Sequence, residues 1–169
     1  MIKLINSTSA YWEIWNDGSD ITVHWGHVGH RGQSKTGQIP SSEIESVMKA
    51  LAEEQRAEGF RDLTDEDYID FVIQYCIDGW GTETDLHRRH RIEDLMNEVL
   101  GWTGNGHCDG GDIGSGSMTI YCFVLDIEAA HKTVWEELTA REWDAGATLA
   151  YSKEDEYVVL HPKGGAIIL

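Results

Sequence analysis

A chain of 169 residues with 41% hydrophobic content and seven tryptophans can bury a core in one medium domain or two small ones, which excludes global disorder. Its formal net charge of -17 repels polyanions over most of the chain and suits basic partners. No stretch approaches the roughly 18 consecutive apolar residues of a membrane span, and "MIKLINSTSAYWEIW" lacks the charged start, apolar core and cleavage site of a signal peptide, so the expected address is cytoplasmic, with no membrane partner.

In chain order, "IKLIN", "YWEIWND" and "ITVHWGHVG" are β-branched or aromatic runs separated by turn residues. They predict consecutive antiparallel strands. "QSKTGQI" predicts a fourth strand. Alternation along the third places Ile21, Val23, Trp25 and His27 on one face, with Thr22, His24, Gly26 and Val28 on the other. "PSSEIESVMKALAEEQRAEGF" predicts a helix that starts at Pro40 and Ser41 or Ser42 and stops at Gly59. Its Ile44, Val47, Met48 and Leu51 form one apolar stripe that packs on the sheet. Four strands and a helix complete a first domain over residues 1–62.

"RDLTDEDY" is a polar lead-in. "YIDFVIQYCIDGWG" then predicts a strand with Phe71, Ile73, Tyr75 and Ile77 on one face, and "TETDLHRRHRIEDLMNEVLG" a helix striped by Leu86, Ile92, Leu95, Met96, Val99 and Leu100. A glycine-rich loop, "GWTGNGHCDGGDIGSG", leads to a strand, a helix and strands near "ATLAYS" and "EYVVLHP", with a further strand allowed within or beside the loop. The expected fold class is α+β: an antiparallel sheet with one packed helix, followed over residues 63–169 by a ferredoxin-like two-layer sandwich.

Charge divides unevenly between the two parts. Residues 1–62 carry six Lys/Arg and nine Asp/Glu, and residues 63–169 seven and 21. The second part therefore suits a basic protein partner, and the first, with no acidic residue between Asp20 and Glu43, remains open to nucleic acid. Cys76, Cys108 and Cys122 show neither a paired framework nor metal-clip spacing and read as reduced, mostly buried thiols.

The segment "YWEIWNDGSDITVHWGHVGHRGQSKTGQ" resembles the WGR domain, a small sheet-and-helix module of poly(ADP-ribose) polymerases and of bacterial proteins, over about residues 1–61. Trp25, Gly26, Val28, Gly29, Gly32 and Gln33 match its pattern, and His27 stands where the family's arginine falls. The resemblance implies recognition of nucleic-acid ends or of a neighbouring domain, with Trp25 stacking on a sugar and His27 in the arginine's place, aided by Arg31 and Lys35. No segment resembles an ADP-ribosyltransferase catalytic domain. The remainder, carrying "IQYCIDGWGTE" and "LGWTGNGHCDGGDIGSG", resembles small bacterial α+β domains, which implies a fold and no activity.

His24, His27, His30 and His107 suggest a metal site, but strand alternation turns His24 and His27 apart, so none is expected. "HRRHR" is either a phosphate contact or a helix turn answered by nearby acids. The glycine-rich loop lacks the GK[ST] of a phosphate loop and carries Asp109 and Asp112; with Trp102 and His107 it offers a ligand or partner surface instead. A thiol-dependent enzyme at Cys108 is the weak catalytic alternative. The expected protein is therefore non-enzymatic and without cofactor, binding through Trp25, His27, Arg31, Lys35, Trp102 and His107. The protein-partner reading includes an immunity-type protein that neutralises a basic toxin. The competing class binds DNA or RNA through the first domain.

Overall fold

The computed structural model describes residues 1–154 and 156–168. Its first unit is a sheet of five antiparallel strands, β1 (Ile2–Ile5), β2 (Ala10–Asp17), β3 (Asp20–His27), β4 (Gln33–Gln38) and β5 (Arg61–Asp62), in the order β4-β3-β2-β1-β5. Helix α1 (Ile44–Ala57) covers one face. Register explains which face: Leu4 pairs with Trp12 and Trp12 with Trp25, while Ile2 pairs with Ile14 and Ile14 with Val23, so the apolar side chains stack on one side of the pleat. Leu4, Trp12, Ile14 and Ile21 meet Met48 and Ala52 of α1 there.

Two details of this unit differ from the sequence reading. The sheet has a fifth strand, because the chain reverses at Gly59 (φ +96°) and Arg61 and Asp62 fall beside Ile5 and Leu4. Arg56 holds that return by donating to Asp62 from Nε and Nη2, at 2.9 and 2.6 Å. Helix α1 also begins later than Pro40, after Glu43, whose side chain makes no capping bond; Pro40 instead closes a turn by accepting from the Glu43 amide at 2.8 Å.

The second unit runs β6 (Ile69–Cys76), α2 (Glu83–Trp102), β7 (Gly106–Gly114), β8 (Ser117–Val124), α3 (Ile127–Ala140), β9 (Ala147–Lys153) and β10 (Glu156–His161). The order β10-β9-β6-β8-β7, all antiparallel, is the ferredoxin-like arrangement of a split βαβ pair with one added edge strand. The sandwich read from the sequence is thus present. Phe71, Ile73, Tyr75, Met118, Ile120, Cys122, Val124 and Leu149 face Ile92, Met96 and Leu100 of α2 and Ala130, Val134 and Leu138 of α3. Leu86 was expected in the α2 stripe but lies exposed in the first turn.

Most of the glycine-rich stretch is strand. Residues Gly106–Gly114 pair with β8 through a register shift between Cys108 and Gly110. Glycine is required for contact at Gly106, where a Cβ would overlap the Phe123 carbonyl, and at Gly111, where it would lie 2.6 Å from that of Thr119. Asn105, fully buried, donates to the Asp126 carbonyl at 3.0 Å and accepts from the Asp126 amide at 2.8 Å. Asp126 in turn caps α3 by accepting from the Ala129 amide at 2.9 Å.

Candidate functional site

The uncovered face of the first sheet carries Tyr11, Glu13, Trp15 and His24, and it meets the C-terminal end of α2. Helix ends leave four carbonyls without helical partners, and here each one can be followed. Leu100 accepts from the Asn105 amide at 2.9 Å and from the Thr103 hydroxyl at 3.2 Å, and Gly101 from the Gly104 amide at 2.9 Å. Trp102 accepts from Gly32 and Thr103 from Gly29, both at 2.9 Å, across the junction. The turn after β3 is therefore a latch. Its glycines supply the approach: a Cβ at Gly32 would overlap the Tyr11 hydroxyl and His24 Nε2, and one at Gly29 (φ +81°) would lie 2.6 Å from the Ala129 Cβ. From the other side, a Cβ at Gly104 would overlap the Tyr11 ring.

Behind the latch lies a closed polar chain. His24, 1% exposed, meets Glu13 Oε1 through Nδ1 at 2.7 Å and the Tyr11 hydroxyl through Nε2 at 3.0 Å. Burial and the Glu13 charge push the Tyr11 phenol far above its ordinary range, so it keeps its proton within this hydrogen-bonded chain. Trp102 packs edge-on against His24 with ring centres 4.9 Å apart. Lys3 Nζ stands 3.8 Å from the other Glu13 oxygen. Both nitrogens of the His24 ring are engaged within this chain, and the ring is buried.

Two cavities of about 280 Å³ each open beside this chain. The first is walled by Trp15 and Trp102 and rimmed by Lys3, Glu13, Glu98 and His107. Arg31, Thr133, Glu137 and Arg141 line the second, again with Glu98 and Trp102. Trp102, 37% exposed, is thus a partition between them. His107 lies against Tyr68 and Phe123, ring centres 5.4 and 5.5 Å away. Burial first, and then the Lys3 charge, hold its imidazole below the ordinary histidine range.

The residues expected to bind do not share one place. Trp102 and His107 meet at the first cavity and Arg31 with Trp102 at the second. Trp25, also 37% exposed, and His27 lie on the α1 side of β3, and Lys35, paired with Val23, lies on that same side of β4. His24 faces the other way, as alternation required. Lys3, Glu13, Trp15 and Glu98 are not among the binding residues expected from the sequence, where Trp15 reads as a core or sheet-face residue. The signal available for two of them was the period-two run Tyr11, Glu13, Trp15, a carboxylate between two aromatics on one strand face.

The basic run of α2 is absorbed internally. Arg88 stacks on Tyr75 with its guanidinium carbon 4.0 Å from the ring centre, and Arg91 on Trp143 at 4.6 Å. Arg89 donates to the Gly111 carbonyl at 2.8 Å and pairs with Glu93. On the outer face of the second sheet, a cavity of about 400 Å³ is lined by Gln74, Trp80, Asp112, Tyr121, Tyr157 and Ile168, among others. Gln74 there donates to the Ile168 carbonyl at 2.9 Å and accepts its amide at 2.7 Å. Comparison with family models, curated proteins and solved structures finds no match to this chain.

Proposed function

We propose that this is a non-enzymatic recognition protein that takes a basic side chain of a protein partner against Trp102. The observation that carries the reading is the pair Glu98 and Trp102, one turn apart on α2 and lining both junction cavities. Among the described residues Glu98 has no ion-pair partner, so an exposed carboxylate stands beside an exposed indole. That combination attracts a guanidinium or ammonium group by charge and by the ring face together. The concentration of acidic residues in 63–169 supports it by steering a basic partner toward this unit. Burial of the Glu13–His24–Tyr11 chain supports the non-enzymatic part, since the Tyr11 hydroxyl is closed off behind Gly32 and Gly104 with Tyr11 4% and His24 1% exposed.

The test is a titration of the full chain with an arginine-rich peptide, followed by tryptophan fluorescence and by amide shifts in α2. Binding is expected to weaken about tenfold in Glu98→Gln and further in Trp102→Ala, the scale of one cation–ring contact with an ion pair. An arginine-rich peptide that causes no change, or one that binds both variants as well as the parent, overturns the reading.

A second reading rests on Trp25 with Lys35 and His27, exposed together on the α1 side of a segment free of acidic residues. It keeps the WGR resemblance and takes nucleic acid as the partner. Labelled blunt duplex should then bind with an affinity that falls steeply with salt and is lost in Trp25→Ala; no binding at low salt removes it.

A further inference from the structure

Cys108 and Cys122 lie directly opposite each other in the pairing of β7 with β8. Residues so placed have Cα atoms about 4.5 to 5.5 Å apart whichever hydrogen-bonding class they fall in, inside the roughly 4.4 to 6.8 Å that a disulfide spans. Both side chains point to the helix-covered face, where Cys122 is 1% and Cys108 8% exposed. The third thiol is elsewhere. Cys76 is opposite Ser117 while Phe71 is opposite Cys122, which puts Cys76 about 16 Å further along β6.

Cys108 is the accessible member of the pair. It sits on an edge strand, immediately before the bulge, and a Cβ at Gly110 (φ +109°) would meet nothing within 4 Å. The Gly110 amide donates to the Cys108 sulfur at 3.4 Å. The Cys122 thiol beside it and this amide hold the Cys108 thiol below the ordinary range, against its burial, and the same pairing pushes Cys122 up. Cys108, the more exposed of the two and the one that accepts from a backbone amide, is the sulfur placed to react first.

We infer that Cys108 and Cys122 form a redox-modification site at which a peroxide closes a reversible cross-strand disulfide. The Cys108 thiolate attacks one peroxide oxygen, the O–O bond breaks and hydroxide leaves, which makes a sulfenic acid. The Cys122 sulfur then attacks the Cys108 sulfur, and the sulfenic oxygen departs as water with the Cys122 proton. Two thiols lose two electrons and one peroxide becomes two waters. The bond cross-links the edge strand next to His107.

The test uses the full chain carrying Cys76→Ser, treated with stoichiometric hydrogen peroxide. Both cysteines lie in the single tryptic peptide 92–132, which contains no internal Lys or Arg. Its mass is expected to fall by two hydrogens, with loss of both titratable thiols and full recovery on reduction. In the same background Cys122→Ser should accumulate a sulfenic acid at Cys108 that dimedone traps, and Cys108→Ser should leave Cys122 unoxidised. Retention of both thiols, or oxidation of Cys108 to the sulfinic acid without a disulfide in the folded Cys76→Ser protein, overturns the inference. That peptide measurement decides alone if either core variant fails to fold.

Discussion

At Gly32 an added methyl group would meet the Tyr11 hydroxyl, His24 Nε2 and the Trp25 carbonyl at once, and none of these is the free end of a flexible side chain. Gly32→Ala is therefore expected to cost about 2 to 3 kcal/mol, the upper range of overpacking, read as a lower urea midpoint. Gly18→Ala is the matched control. Its φ of +57° is strained for alanine, yet nothing lies within 4 Å, so the cost should be only about 1 to 2 kcal/mol. Equal losses at the two sites would remove close approach as the reason for Gly32. His24→Leu breaks the closed polar chain and leaves Glu13, 9% exposed, with only the longer contact to Lys3. A loss of about 3 kcal/mol is expected, measured by denaturant unfolding above pH 7.

Between elements, the contact most open to test is that of the latch with α3. Gly29→Ala forces a methyl against the Ala129 Cβ and also strains a left-handed backbone position. Only the first of these effects can be relieved by Ala129→Gly. A double-mutant cycle should therefore show favourable coupling of about 1 kcal/mol between the two substitutions, despite the cost of a glycine inside α3; additive losses would place the strain wholly in the backbone. At this scale the sequence was informative where pattern follows period. The pleat alternation of β3 and the Phe71, Ile73, Tyr75 face were legible because burial on one side of a strand leaves a period of two. The short β5 was not, since two exposed residues carry no period and owe their place to the Gly59 reversal. The glycines of 24–33 announced a special backbone but not the junction they close, because Trp102, Thr103 and Ala129, which meet Gly29 and Gly32 there, lie some 70 to 100 residues away in the chain.

For the molecule as a whole, each unit has its own core, and the junction joins them through backbone bonds and packed rings. Legibility failed most at this level: Trp102 and His107 were readable as surface candidates, but the cavities need both units to exist. The two histidines with lowered affinity for protons give a pH dependence with a definite sign. Burial holds both His107 and His131 below the ordinary 6.5 in the folded chain. As pH falls through about 6.5 the unfolded chain takes up protons that the folded chain does not, so the stability these neutral rings allow is present above that pH and is lost below it. His107→Gln should flatten the fall in Tm between about pH 8 and pH 5.5 relative to the parent chain; parallel curves would show that the Tyr68 and Lys3 surroundings leave His107 indifferent to its charge.

The latch has one more consequence, for a chain cut in two. Residues 64–66, in the crossing between the units, are exposed, whereas the hydrogen bonds from Gly29 and Gly32 to α2 lie far from that crossing in sequence. A protease that nicks the crossing would separate the covalent chain without releasing either piece. The fragments should stay together as a noncovalent complex, and mixing them afresh should rebuild it, so that a reporter split at this point would signal reassembly of the α2 carbonyls with the amides that close them.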